Sequence, residues 1–199
     1  GVDELMLQFA DYSAELYDGG VWRNADLRTM KDNQTIDFGP PFGRKSCVPM
    51  TFDELHDLPS VFPALRRLGG YVAGFNWFVD WLLTPLIMVT VRLWPQRAVR
   101  PMGRIFSWAT RVFSSPPYGV VAVAEAAGLK DGVRRTARVV VSHADGYELT
   151  AIPVVAFLLQ YLDGSARRPG LHMMGGLVEP QRFVMDMRRM GAQVTEAHA

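Results

Sequence analysis

The sequence predicts an α+β protein, with a mixed, largely antiparallel sheet, helices on one face and an inserted helical subdomain. Two observations carry the class: strand-like alternation recurs at both ends of the chain, and helical periodicity fills the stretches between. A third, the apolar and arginine-rich character of residues 66–115, marks the insertion. The expected domain is therefore built from residues 1–65 and 116–199.

Residues 4–9 and 34–38 alternate well enough to be strands. Gly39-Pro-Pro-Phe-Gly43 stops the second, because proline cannot donate to a ladder and glycine permits the turn. Thr51 and Glu54 have capping-box spacing, so a short helix is expected to start there and to break near Pro59 and Pro63. Residues 75–94 are apolar nearly all round, interrupted by Asn76, Asp80 and Arg92, with Pro85 expected to kink the helix. Residues 96–113 form an amphipathic helix. Arg97, Arg100, Arg104 and Arg111 share one face, and Val99, Met102, Phe106, Ala109 and Phe113 the other.

Beyond the insertion, 118–127 and 133–143 read as strands joined through Gly128-Leu-Lys-Asp-Gly132, a hairpin with the Asp-Gly signature. Thr150 is expected to cap a helix from about residue 151 to Leu162, with Pro153 tolerated in its first turn. Residues 171–174 read as a short strand. Pro180 opens a helix with Phe183, Val184, Met187 and Met190 on one stripe, Gly191 ends it, and 193–195 form the last strand.

The 199 residues, 49% hydrophobic and 21% charged, suit a globular domain with an ordinary core and exclude a disordered chain. The one cysteine, Cys47, excludes an intramolecular disulfide and a paired-cysteine zinc site, and is read as a reducing, cytoplasmic setting. The chain opens Gly1-Val2-Asp3, without methionine and without a basic-then-apolar leader, so it reads as a piece of a longer polypeptide with no signal peptide. Net charge is +1, yet residues 1–57 hold eleven acids against five bases, and residues 81–124 hold five arginines and no acid. Such a basic middle is either a solvated helix face balanced by the acidic N-terminal third, or a surface for an anionic partner. Peripheral membrane contact through 75–94 and 96–113 is one form of the second reading. A spanning helix is not expected, since the run after Asp80 is about eleven residues against the roughly 20 needed. No nucleic-acid partner is expected.

Four stretches together resemble the C-terminal part of saccharopine dehydrogenase-like proteins: Asp37-Phe-Gly-Pro-Pro-Phe-Gly-Arg44, Gly74-Phe-Asn-Trp-Phe-Val-Asp80, Ser142-His-Ala-Asp-Gly-Tyr-Glu-Leu-Thr-Ala151 and Pro169-Gly-Leu-His-Met-Met-Gly175. The resemblance spans about residues 3 to 195 and is one of overall pattern. It implies a substrate-side and dimerisation domain that works with an N-terminal Rossmann domain of the same protein, where NAD or NADP is bound. Members of that family act on saccharopine or carboxynorspermidine; others are enoyl reductases or lipid-associated proteins. This chain lacks the Gly-x-Gly-x-x-Gly that brings a pyrophosphate onto a helix start, and Gly69-Gly70-x-x-x-Gly74 has the wrong spacing. The chain by itself is therefore expected to hold no cofactor and to transfer no hydride.

The candidate substrate-binding residues are Arg44, His143, Asp145, Tyr147 and Thr150. Side-chain alternation puts His143 at the end of an apolar strand face, where Asp145, Tyr147 and Thr150 can join it beside a helix start suited to a carboxylate. The alternative is that His143 bonds the turn and Asp145 only shapes it. Arg44 can pair bidentately with a carboxylate, or bridge to the acidic N-terminal third. Asp80, among aromatics, either pairs with an arginine or marks a pocket. Histidines 56, 143, 172 and 198 lack metal-ligand spacing, and neither a Gly-x-Ser-x-Gly elbow nor a base partner for Cys47 supports covalent catalysis.

Overall fold

The computed structural model describes residues 3, 6, 7, 9, 12–26 and 29–198. The class is α+β, and every strand pairing among these residues is antiparallel. The strands lie in three small sheets of three strands each. Contacts divide the chain into two units, Gly1–Asp37 with Arg44–Pro116, and Phe38–Gly43 with Pro117–Ala199.

In the first unit, β1 (Glu15–Asp18) and β2 (Val21–Asn24) join through Gly19-Gly20. Both glycines have positive φ, +62° and +101°, as a two-residue hairpin turn needs. β3 (Gln34–Asp37) pairs with β4 (Arg44–Met50), register Asp37↔Arg44 to Gln34↔Cys47. Pro49 lies past the end of β3, where β4 is paired on one side only, so its missing N–H breaks no two-sided ladder. The expected helix at Thr51 is corrected. Its hydroxyl accepts the Glu15 amide at 2.9 Å instead of capping. The chain then makes only a 3₁₀ turn at Asp53–Leu55 and a one-turn helix, α1 (Leu58–Val61), with Pro59 inside it. β5 (Arg67–Leu68) completes the first sheet beside β1, and β6 (Gly70–Ala73) the second beside β4.

The strand expected over 4–9 is corrected too: Asp3, Met6, Leu7 and Phe9 are helical, and residues 4, 5 and 8 lie outside the described set. Met6 is fully buried and Phe9 packs on the same core, a helical i, i+3 pair that competes with the alternation. The apolar stretch is helical where expected, as a π turn (Val79–Leu83) running into α2 (Thr84–Leu93), and Pro85, which has no N–H to donate, lies just past the π turn. α3 (Pro95–Val112) comes next. Val79, Leu83, Ile87 and Val91 meet Met6, Phe106 and Ala109, and each buried aliphatic contributes about 1.5–3 kcal/mol. The Phe78 and Phe113 rings stack on this core at 4.4 Å.

In the second unit, β7 (Val120–Lys130) and β8 (Val133–His143) close over Asp131-Gly132, with φ +55° and +75°. β9 (Gln193–His198) pairs with β8 over 137–142. α4 (Gly146–Leu162) starts about five residues before the expected position, which is a correction. The cap is Asp145, while the Thr150 hydroxyl donates to the Gly146 carbonyl at 2.8 Å inside the helix; Pro153 is therefore interior, not first-turn. Residues 171–174 are not a strand. Leu171 is fully exposed and a 3₁₀ turn occupies Met174–Gly176, so the apolar run has no face to bury. α5 (Pro180–Arg189) is capped by Glu179 and ends before Gly191 at φ +102°. Leu149, Ile152, Ala156 and Met187 pack against Val139, Val141 and Val194. Buried Gln160 ties α4 to the α5 entry, accepting the Glu179 amide at 2.8 Å and donating to its carbonyl at 3.3 Å.

Candidate functional site

Four of the five candidate residues, His143, Asp145, Tyr147 and Thr150, lie in the second unit at the β8–α4 turn, and Arg44 lies in the first. β8 carries His143 to the sheet's end opposite Val120, and the extended Asp145 then sends the chain into α4. Glycines flank the turn on both sides, a close approach at Gly119 and an ordinary contact at Gly191. A Cβ at Gly119 would stand 3.1 Å from the His143 carbonyl oxygen, and one at Gly191 would stand 3.7 Å from His143 Nε2.

Asp145 Oδ1 accepts the amides of Tyr147 at 2.7 Å and Glu148 at 3.2 Å, so two of the first-turn donors that would cradle an anion are already taken. His143 Nδ1 is 3.0 Å from the Asp145 amide nitrogen and 2.9 Å from its carbonyl oxygen, while Nε2 is 3.3 Å from Glu148 Oε2. With the proton on Nε2, the ring accepts the Asp145 amide and donates to the Glu148 carboxylate, and the 2.9 Å approach of Nδ1 to the Asp145 carbonyl then carries no hydrogen bond. The His143 side chain is mostly covered. Glu148 is largely exposed, and Tyr147 is 91% exposed. The polar atoms offered outward are thus the Glu148 carboxylate and the Tyr147 phenol.

Glu148 is the residue that sequence reasoning missed. Asp145-Gly-Tyr-Glu148 has the same capping spacing as Thr51-Phe-Asp-Glu54, and Glu148 stands in the helix's first turn. Arg44 is exposed, across from Asp37 in the β3–β4 register. Asp80 is half-buried, and among the described residues no arginine reaches it; Oδ1 accepts the Phe75 amide at 2.9 Å. Burial pushes its carboxyl above the ordinary range, against the pull of the Phe75 and Asn76 amides. A Cβ at Gly74 would stand 2.1 Å from Asp80 Oδ2, so the glycine of this motif makes room for its aspartate. Cys47 is buried, and burial pushes its thiol up, the opposite of an activated nucleophile.

The described residues do not fit a dinucleotide. No parallel strand–glycine loop–helix unit occurs among them, and Gly70 lies in β6, where a Cβ would meet the Phe52 ring at 2.1 Å. Among the described residues no group of three or more metal-ligating side chains gathers. No family model matches the chain, and no curated protein is similar to it.

Proposed function

We propose that the chain is the substrate-side and dimer-building domain of a saccharopine dehydrogenase-like oxidoreductase, acting with a Rossmann domain of the same protein that holds NAD or NADP. The observation that supports this reading is the polar cluster at the β8–α4 turn. It couples an oriented imidazole to an exposed carboxylate at the end of an antiparallel sheet. In this reading Glu148 and Tyr147 meet the substrate, His143 orients Glu148, and Asp145 and Thr150 hold the helix start that carries both. The exposed group is anionic, so the cluster suits the amino end of an amino-acid substrate. Arg44 remains a separate candidate for a substrate carboxylate, through bidentate pairing.

The test is nicotinamide-linked turnover in the protein joined to its nucleotide-binding domain. Glu148→Gln and His143→Ala are expected to raise KM by roughly 10-fold or more, the loss of one hydrogen bond to a charged group, with the helical signal unchanged. Unchanged kinetics in both, and in Arg44→Ala, would make the domain a dimerisation scaffold without a pocket role.

A further inference from the structure

We propose that the α2–α3 hairpin docks on an anionic lipid surface, its leucines and tryptophans entering the headgroup boundary while the α3 arginines meet lipid phosphates. The inference is independent of the oxidoreductase reading. It rests on which side chains the fold leaves in solvent. On α2 and the turn before it, Val79, Leu83, Ile87 and Val91 are buried, yet Leu82, Leu86, Val89 and Leu93, spaced i, i+4, i+7, i+11, are each at least half exposed. A helix on a water-facing surface carries polar groups there. Trp81 is 69% exposed and Trp94 58%, one near each end of this helix.

α3 repeats the pattern with charge added. Opposite the buried Phe106 and Ala109, its arginines Arg97, Arg100, Arg104 and Arg111 are all exposed. At about 100° per residue, Ile105, Trp108 and Val112 fall in the adjoining stripe, and these are exposed as well. Among the described residues, no ion pair engages Arg92 or any of these four, and residues 81–124 contain no acid. Arginines with no ion-pair partner among the described residues, beside exposed tryptophan and aliphatic stripes, fit a surface that is anionic at its face and apolar beneath. A polyanion in water would satisfy the arginines and leave the α2 leucines exposed. The hairpin lies on the surface and does not cross it: α2 is about 15 Å long against a hydrocarbon core of about 30 Å, and no described helix is long and apolar enough to span.

The test is co-sedimentation of the full chain with phosphatidylcholine vesicles, with and without phosphatidylserine, at low and high salt. Binding is expected only with phosphatidylserine and is expected to fall with salt. Arg100→Gln/Arg104→Gln is expected to weaken it about 25-fold, about fivefold per arginine. Leu86→Ser/Leu93→Ser, at exposed positions, is expected to abolish it with circular dichroism unchanged. Failure to bind phosphatidylserine vesicles at low salt overturns the proposal. So does binding that survives the serine pair and is matched by a duplex oligonucleotide, which would make the arginines a general polyanion site. An oligomer that the serine pair converts to monomer, without lipid binding, assigns the face to a second copy and also overturns it.

Discussion

Gly74→Ala isolates the contact that shapes the entry to the helical hairpin. The new Cβ would stand 2.1 Å from Asp80 Oδ2 and 2.5 Å from its Cγ, so the carboxylate must leave. In doing so it gives up the Phe75 amide at 2.9 Å, a bond to a charged acceptor of about 1.5–3 kcal/mol. Against this, alanine restricts the unfolded chain and returns about 0.4–1 kcal/mol where the backbone tolerates it, and Gly74 is not among the positive-φ glycines. The net expectation is a loss of about 1–2 kcal/mol, or roughly 0.5–1 M in urea midpoint. In an Asp80→Ala background the obstruction is gone, and the same glycine substitution should become stabilising by about 0.4–1 kcal/mol. Tryptophan emission is a clean readout, because Trp22, Trp77, Trp81, Trp94 and Trp108 all lie in the first unit. An equal effect in both backgrounds would refute the steric account.

Two further predictions concern the second unit. Asp145→Ala removes the acceptor of the Tyr147 and Glu148 amides and should cost about 1 kcal/mol in urea unfolding monitored by circular dichroism, with Asp145→Asn restoring most of it. Asp163 accepts hydrogen bonds from the Ser165 amide and hydroxyl and from Arg182, which hold its carboxyl at about 2, below the ordinary 3.8. Its stabilising effect is therefore complete above 3.8 and lost as pH falls through about 2, so the midpoint difference between the wild type and Asp163→Asn should vanish across that window.

What the sequence made legible tracked its strongest local signals. The Asp131-Gly132 hairpin, the Pro180 helix and the two faces of α3 each rest on one dominant cue, a positive-φ turn, a first-turn proline or a long 3.6-residue period. The short strands of the first unit were missed because β1, β2 and β6 are four residues each and β4 contains Pro49; only cross-strand partners distant in sequence make them strands. The competition between caps was misjudged in the same way. Thr51-x-x-Glu54 and Asp145-x-x-Glu148 have equal spacing, but the Thr51 hydroxyl is claimed by Glu15, 36 residues earlier, which no local pattern encodes. At the candidate site, the imidazole and its turn were readable from strand alternation. The carboxylate that faces His143 was not, because it depended on knowing where α4 begins.

That starting point decides the chemistry the cluster can perform. Had α4 begun near residue 151, its amide-rich start, with Thr150 as its cap, would have stood beside His143 as a cradle for a carboxylate. With Asp145 as cap, two of those amides are consumed, and the helix's first turn presents Glu148 outward. The local field at the turn is then set by two carboxylates against one imidazole, and a ligand carboxylate brought there would meet like charge. An ammonium group would instead find an acceptor in Glu148, already oriented by His143 Nε2 at 3.3 Å. The cluster as the fold builds it thus offers an acceptor to a cation and no free donor pair to an acid.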